Sequence, residues 1–363
     1  MNKNHKISHT QFRGLTVSSI VGVGVLSMQS PLVKILGTDG WIAILITGLL
    51  FIGNLAIYNQ IFKLYPEKDF FEIGKATLGE VVFNIFLVIF LVYVVLSASI
   101  VTRNLGELIK SFPLQKTPIE VIIIVFILST SYRATQEIDV IARAAYFMYP
   151  LIIIFAALIV LLAIPEADFS NLLPVFKADY KSIIKGVGYS IFSFTGIEMV
   201  LFAIPFVNDR DKVFKSGVLG LGTVIIVYLV MFFMTLTHYS LQQIESQNYP
   251  VLALVRRLDL PGFFLENLDG VVIAFWVIVI FSAMATSYFA SGKVLSKLFN
   301  TKSHKYFILG LIPIIYYVSL IPENTLEVTT YTERYYDILA YISVLALPLL
   351  MLIVGYIRKR LEK

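Results

Sequence analysis

The sequence predicts an all-α integral membrane protein of about ten transmembrane helices, divided into two halves of five that are inverted relative to each other. Three observations predict it. Hydrophobic residues make up 58% of the 363 and charged residues only 15%, with a mean hydropathy of +0.82, far from the quarter charged of a typical soluble domain. Apolar runs long enough to cross about 30 Å of hydrocarbon recur along the whole chain. Two of these runs are interrupted at matching places in the two halves.

In chain order the predicted spans are 13–36, 41–64, 81–110, 118–132, 140–164, 182–206, 213–239, 268–298, 305–321 and 335–357. The first follows Lys3, Lys6 and Arg13, yet it runs too long and lacks the small-residue cleavage pattern of a secretory signal, so it reads as a retained helix. Its centre carries Gly22-Val23-Gly24-Val25, with Pro31 further on. The third places Tyr93 and Ser97 one turn apart on one face. The fourth, opening at Pro118, and the ninth, near Tyr306, are short and occupy equivalent positions in a five-plus-five division. The sixth holds hydroxyls, a glycine and an acid, Phe192-Ser193-Phe194-Thr195-Gly196-Ile197-Glu198, inside an apolar run. The eighth offers Ser282, Thr286 and Ser287. The whole reads as a single transmembrane domain, with one repeat at about 13–164 and the other at about 182–357. Backbone that leaves the helix at membrane depth survives only where protein or a water-filled cavity satisfies its freed N–H and C=O groups. A paired interruption therefore points to a central binding site.

Orientation follows from the basic residues, which favour cytoplasmic loops. With the N-terminus inside, 19 of the 29 Lys and Arg residues fall on the cytoplasmic side. Both termini are then cytoplasmic, an even number of spans is required, and five spans per half invert the second half. The Arg358-Lys359-Arg360 cluster and the net charge of +5 read as a headgroup anchor in the lipid bilayer rather than a nucleic-acid patch.

Several chemistries find no support. With no cysteine there are no disulfides or thiolate sites, and His5, His9, His238 and His304 lack a ligand spacing, so neither metal nor cofactor is expected. Gly74-Lys75 and Gly292-Lys293 are not followed by Ser or Thr, and Gly22-x-Gly24 lacks the third glycine of a dinucleotide turn. No enzyme is predicted. The longest loop, 241–267, mixes Pro, Arg and acids and reads as an external cap or partner surface.

The candidate site residues each carry two readings. Gly22 and Gly24 permit close backbone approach to a ligand or close helix packing; their pairing with Ser193, Thr195 and Gly196 favours binding. Glu198 is the only acid well inside an apolar span, where a charge is costly enough that function is the default. It is a proton- or cation-linked switch or a neutral acid tying down an unwound segment. Arg103 and Glu107, one turn apart, form an outer gate or a structural ion pair. Asp337 with Tyr341 reads as a gate or a partner interface.

The chain resembles the spore germination permease family, the membrane-spanning B subunits of nutrient germinant receptors, within the amino acid–polyamine–organocation transporter superfamily. The resemblance rests on Gly22-Val-Gly-Val-Leu26 followed by Pro31 and Gly40-Trp41; on Arg103 and Glu107 ahead of Pro113 and Thr117-Pro118; and on Glu137-Ile-Asp-Val-Ile-Ala-Arg143. It continues through Asn171-Leu-Leu-Pro174, the 192–198 stretch, and Leu268-Asp269 leading to Ala274-Phe-Trp276. It covers nearly the whole chain, and the order and spacing of these short motifs carry it.

The resemblance implies a LeuT-like fold with helices 1 and 6 unwound around a midplane, amino-acid-sized site flanked by helices 3 and 8. Tyr93, Ser97 and Thr286 then join Gly22, Gly24, Ser193, Thr195 and Gly196 as contacts, with Glu198, Arg103 and Glu107 in switching or gating roles. In such a site half-helix N–H groups take a ligand carboxylate and backbone carbonyls at the opposing half-helix take its ammonium. The resemblance also implies a receptor in the inner spore membrane that senses an amino acid such as L-alanine. Its implied partners are a membrane A subunit and a lipoprotein C subunit. A secondary transporter and a ligand-gated ion or water conduit use the same site; the transporter would be favoured by a basic residue deep in helix five, and 148–163 contains none.

Overall fold

The computed structural model describes residues 6–111, 114–257 and 268–361. Among them no strand forms, and Ile7 makes an isolated parallel bridge with Val207. The first span is split. Helix α1 (His9–Ile20) starts at a capping box made by Ser8 and Gln11 and stops where Val21 turns extended; the chain resumes as α2 (Gly24–Ser27) and α3 (Gln29–Leu36). There follow α4 (Gly40–Leu64), the connecting α5 (Phe70–Leu78), α6 (Glu80–Ser111), the short α7 (Ile119–Ala134) and α8 (Ile138–Ala163).

The sixth span is split as well. Helix α9 (Tyr180–Phe194), capped by Asp179, gives way at Thr195-Gly196 to two 3-10 stretches, Ile197–Phe202 and Ile204–Phe206, bent by 44° from it. The tight 3-10 form of this second half departs from the sequence expectation only in helix type. After it come α10 (Val213–His238), α11 (Leu241–Glu245), α12 (Pro250–Arg257), α13 (Leu268–Leu298) and the short α14 (Lys305–Leu320). The last span opens ten residues earlier than expected. It runs as α15 (Thr325–Tyr331), a π-turn at Thr332–Tyr336, α16 (Asp337–Ala340), a second π-turn at Tyr341–Ala346 and α17 (Leu347–Leu361).

Six described stretches are long and apolar enough to cross a membrane, and the bent sixth span is a seventh. With α1–α3 as the first crossing and α7 and α14 as short ones, the ten expected segments are present. The outside of the bundle is apolar: Leu49, Ile85, Phe147, Leu161 and Ile226 are all exposed. Such a surface suits lipid and would be a liability in water. Inside, α1 packs on α8 and α10, and α4 on α9 and α10, so the two broken spans lie at the centre.

The stretch expected as a cap at 241–267 divides. Its first part folds into α11, against α3, and α12, whose Val251, Leu252, Leu254 and Val255 are buried; residues 258–267 lie outside those described. A second fully buried acid, Asp39, sits outside the apolar runs. Its carboxylate accepts the backbone N–H groups of Phe176, Lys177 and Ala178 at 2.5–2.8 Å, tying the start of the second span to the loop before the sixth.

Candidate functional site

The first break occurs within Val21-Gly22-Val23-Gly24, where glycines and β-branched residues are poor helix formers. The second is fixed by Gly196, whose φ of +103° is open chiefly to glycine. The two breaks lie against each other. A Cβ on Gly196 would stand 2.0 Å from the Ser19 carbonyl oxygen, and one on Gly24 would stand 2.7 Å from Ser193 Oγ. Tyr228 of α10, fully buried, donates its hydroxyl to the Ser193 carbonyl at 2.8 Å, with the Ile20 carbonyl at 3.4 Å. One phenol thus serves the freed carbonyls at both helix ends, the kind of internal satisfaction that broken helices need in lipid.

Between the breaks opens a cavity of about 50 Å³, room for several waters or the core of a small organic molecule. Its wall includes Gly22 and Gly24 from the first break, Ser193, Thr195, Gly196 and Glu198 from the second, Ser97 and Val101 from α6, and Met284 and Ser287 from α13. Glu198 is the one ionisable side chain on it.

Glu198, 1% exposed, is held at both oxygens: Tyr93 donates its hydroxyl to Oε1 at 2.8 Å, and the Gly196 N–H donates to Oε2 at 2.9 Å. Behind this pair stands Tyr336, from the first π-turn of the last span. Its hydroxyl donates to Thr195 Oγ1 at 2.8 Å and lies 3.3 Å from the Tyr93 hydroxyl, and Thr195 in turn donates to the Phe192 carbonyl at 2.6 Å. The rings of Tyr93 and Tyr336 also pack at 5.2 Å. The third and tenth spans are therefore joined to the second break through hydroxyls.

Of the residues singled out in the sequence, Gly22, Gly24, Ser97, Ser193, Thr195, Gly196 and Glu198 line one cavity, and Tyr93 touches it through Glu198. Thr286 does not line it: its hydroxyl donates to the Ser282 carbonyl at 3.3 Å, and the neighbouring Ser287 faces the space instead. Ser282 is engaged by Ser18 at 2.6 Å, linking α13 to α1. Arg103 and Glu107 stand beyond the cavity on α6. Arg103 donates to Glu107 Oε1 through Nε at 3.0 Å and Nη2 at 2.7 Å, and to the Glu323 carbonyl at 2.8 Å. The last contact fastens α6 to the start of the tenth span and offsets the less favourable Arg-before-Glu order on a helix. Tyr228 and Tyr336 were not foreseen. A tyrosine in an apolar run gives no contrast in a chain with 20 of them. Among the described residues no group of three or more His, Cys, Asp and Glu is placed to hold a metal ion.

The sequence and the fold agree with known proteins. Residues 6–328 match the sequence model of the spore germination protein family. Spore germination protein YndE of Bacillus subtilis (strain 168) is 26% identical over 359 residues, covering 99% of this chain and 98% of its own. Spore germination protein GerLB of Bacillus cereus is 28% identical over 357 residues, covering 96% and 94%. Among solved structures, a substrate-bound, outward-open Na+-coupled sialic acid symporter superposes with a TM-score of 0.67 at 13% identity, covering 97% of this chain and 79% of that one. MhsT in complex with L-phenylalanine gives 0.62 at 16% identity, covering 97% and 96%. At these identities the structures speak for the LeuT-like fold alone. The chain belongs to the spore germination protein family, as a multi-pass, permease-like membrane protein of LeuT-like fold.

Proposed function

We propose that this protein is the nutrient-sensing membrane subunit of a spore germination receptor, binding a small amino acid such as L-alanine in the cavity between its two broken helices. The observation that carries the reading is the meeting of both breaks on one small cavity at the centre of the bundle, with hydroxyls and one carboxylate on its wall. Gly22, Gly24, Ser97, Ser193, Thr195 and Gly196 form the wall against the ligand, with Tyr93 behind Glu198.

In this reading the two repeats, about 13–164 and 182–357, move against each other around the site. Arg103, Glu107 and the Glu323 carbonyl close its outer side, about 9 Å along α6 from Ser97 at 1.5 Å per residue. Ligand binding biases one arrangement over the other, and a membrane A subunit and a lipoprotein C subunit read the change at the inner spore membrane, both termini of this chain being cytoplasmic. A second reading, a secondary transporter, uses the same site, since solute symporters are built on the same fold.

Gly22→Leu tests the function. Gly22 lines the cavity and a Cβ there meets nothing nearer than 3.9 Å, so the substitution adds bulk at the wall without a clash at its first carbon. Spores of the source strain carrying this substitution are expected to make the protein at normal level and to lose the germination response to its nutrient. A full response at unchanged nutrient concentration would contradict the proposal.

A further inference from the structure

The ammonium of an amino-acid ligand needs an acceptor, and several of the backbone carbonyls at the breaks are already engaged. At the second break Ile191 and Phe192 accept the Thr195 N–H, Phe192 also accepts the Thr195 hydroxyl, and Ser193 accepts Tyr228; at the first, Ile20 lies within reach of the same phenol. The cavity wall carries one ionisable group, the Glu198 carboxylate, and no Lys, Arg or His. A carboxylate offers about four acceptor positions, and the protein fills three, from the Tyr93 hydroxyl, the Gly196 N–H and Glu198's own backbone N–H. Those bonds fix the carboxylate in place while leaving acceptor capacity for a ligand. A buried carboxylate without a counter-charge is costly at membrane depth, and no Lys, Arg or His on the described wall offsets it.

We infer that Glu198 is the direct counter-ion of the ligand's ammonium, so that the site selects small primary amines and zwitterions and rejects hydroxy acids of the same shape. The inference rests on the reading of the cavity as the nutrient site and adds its specificity determinant. Tyr93 acts through Glu198 as a positioning residue.

The test uses the full-length protein in liposomes and the labelled proteinogenic amino acids to find the one that binds. Its 2-hydroxy acid analogue, which keeps the carboxylate and side chain, and its amide, which keeps the ammonium, then compete against it. In wild type the amide is expected to displace the label and the hydroxy acid to fail at 100-fold excess, a loss of two decades. Glu198→Gln is expected to weaken amino acid binding at least tenfold and to erase the preference over the hydroxy acid; Glu198→Asp keeps the preference at reduced affinity. Displacement of the wild-type label by the hydroxy acid as readily as by the amino acid overturns the inference without reference to any variant. So does a Glu198→Gln protein that still prefers the amine. If instead no amino acid binds in wild type, or binding survives Gly22→Leu, the cavity is not the site and the underlying functional reading falls as well.

Discussion

Gly196 shows at the scale of one residue how the second break is held. Its left-handed backbone would strain any other residue by about 1–3 kcal/mol, and a Cβ would drive into the Ser19 carbonyl at 2.0 Å, separating the two breaks. Gly196→Ala is therefore expected to lower the thermal unfolding midpoint in detergent by several degrees, while Gly222→Ala, where a Cβ meets nothing within 4 Å, leaves it in place; equal midpoints would refute this account of the junction. Glycines and an acid were legible in the sequence because each interrupts an apolar run and so stands out against it. Tyr228 and Tyr336 were not, since a tyrosine's ring belongs in such a run and only the folded structure reveals where its hydroxyl goes. Thr286 was placed by its spacing on the helix. Its neighbour Ser287 faces the cavity, a difference of one position that spacing alone does not resolve.

At the scale of elements, the interruptions of the first and sixth spans followed from local chemistry, and the structure breaks both helices within the stretches expected. The helix types did not follow. The 3-10 form of the second half of span six, and the two π-turns of span ten, depend on partners distant in sequence. Asn54 and Tyr58 of α4 both donate to the Val344 carbonyl within the second π-turn, and Tyr336 of the first reaches the Thr195 hydroxyl. Such turns often accompany functional sites. Tyr228 joins elements in the same way, holding the ends of α1 and α9 together from α10. Tyr228→Phe keeps the ring contact with Phe194 at 5.2 Å and removes only the hydroxyl. With the Ser193 carbonyl orphaned at a cost of about 1 kcal/mol, ligand affinity is expected to fall roughly threefold to tenfold in equilibrium binding. An unchanged affinity would mean that the two breaks are held in register by packing alone.

For the whole molecule, composition and span spacing were enough to predict a membrane bundle of ten segments, because lipid leaves the backbone few alternatives to helices. The meeting of the two breaks, the width of the cavity and the contact that Tyr336 of the last span makes with the second break come only from packing. The central claim is that this junction is the ligand site, and purified protein in liposomes tests it most directly. Labelled amino acid bound at equilibrium and label accumulated with time are measured together, for wild type and Gly22→Leu. The account predicts saturable binding in wild type, no accumulation beyond it, and at least a tenfold loss of affinity in Gly22→Leu. Binding of equal strength in both proteins would place the ligand elsewhere and contradict it.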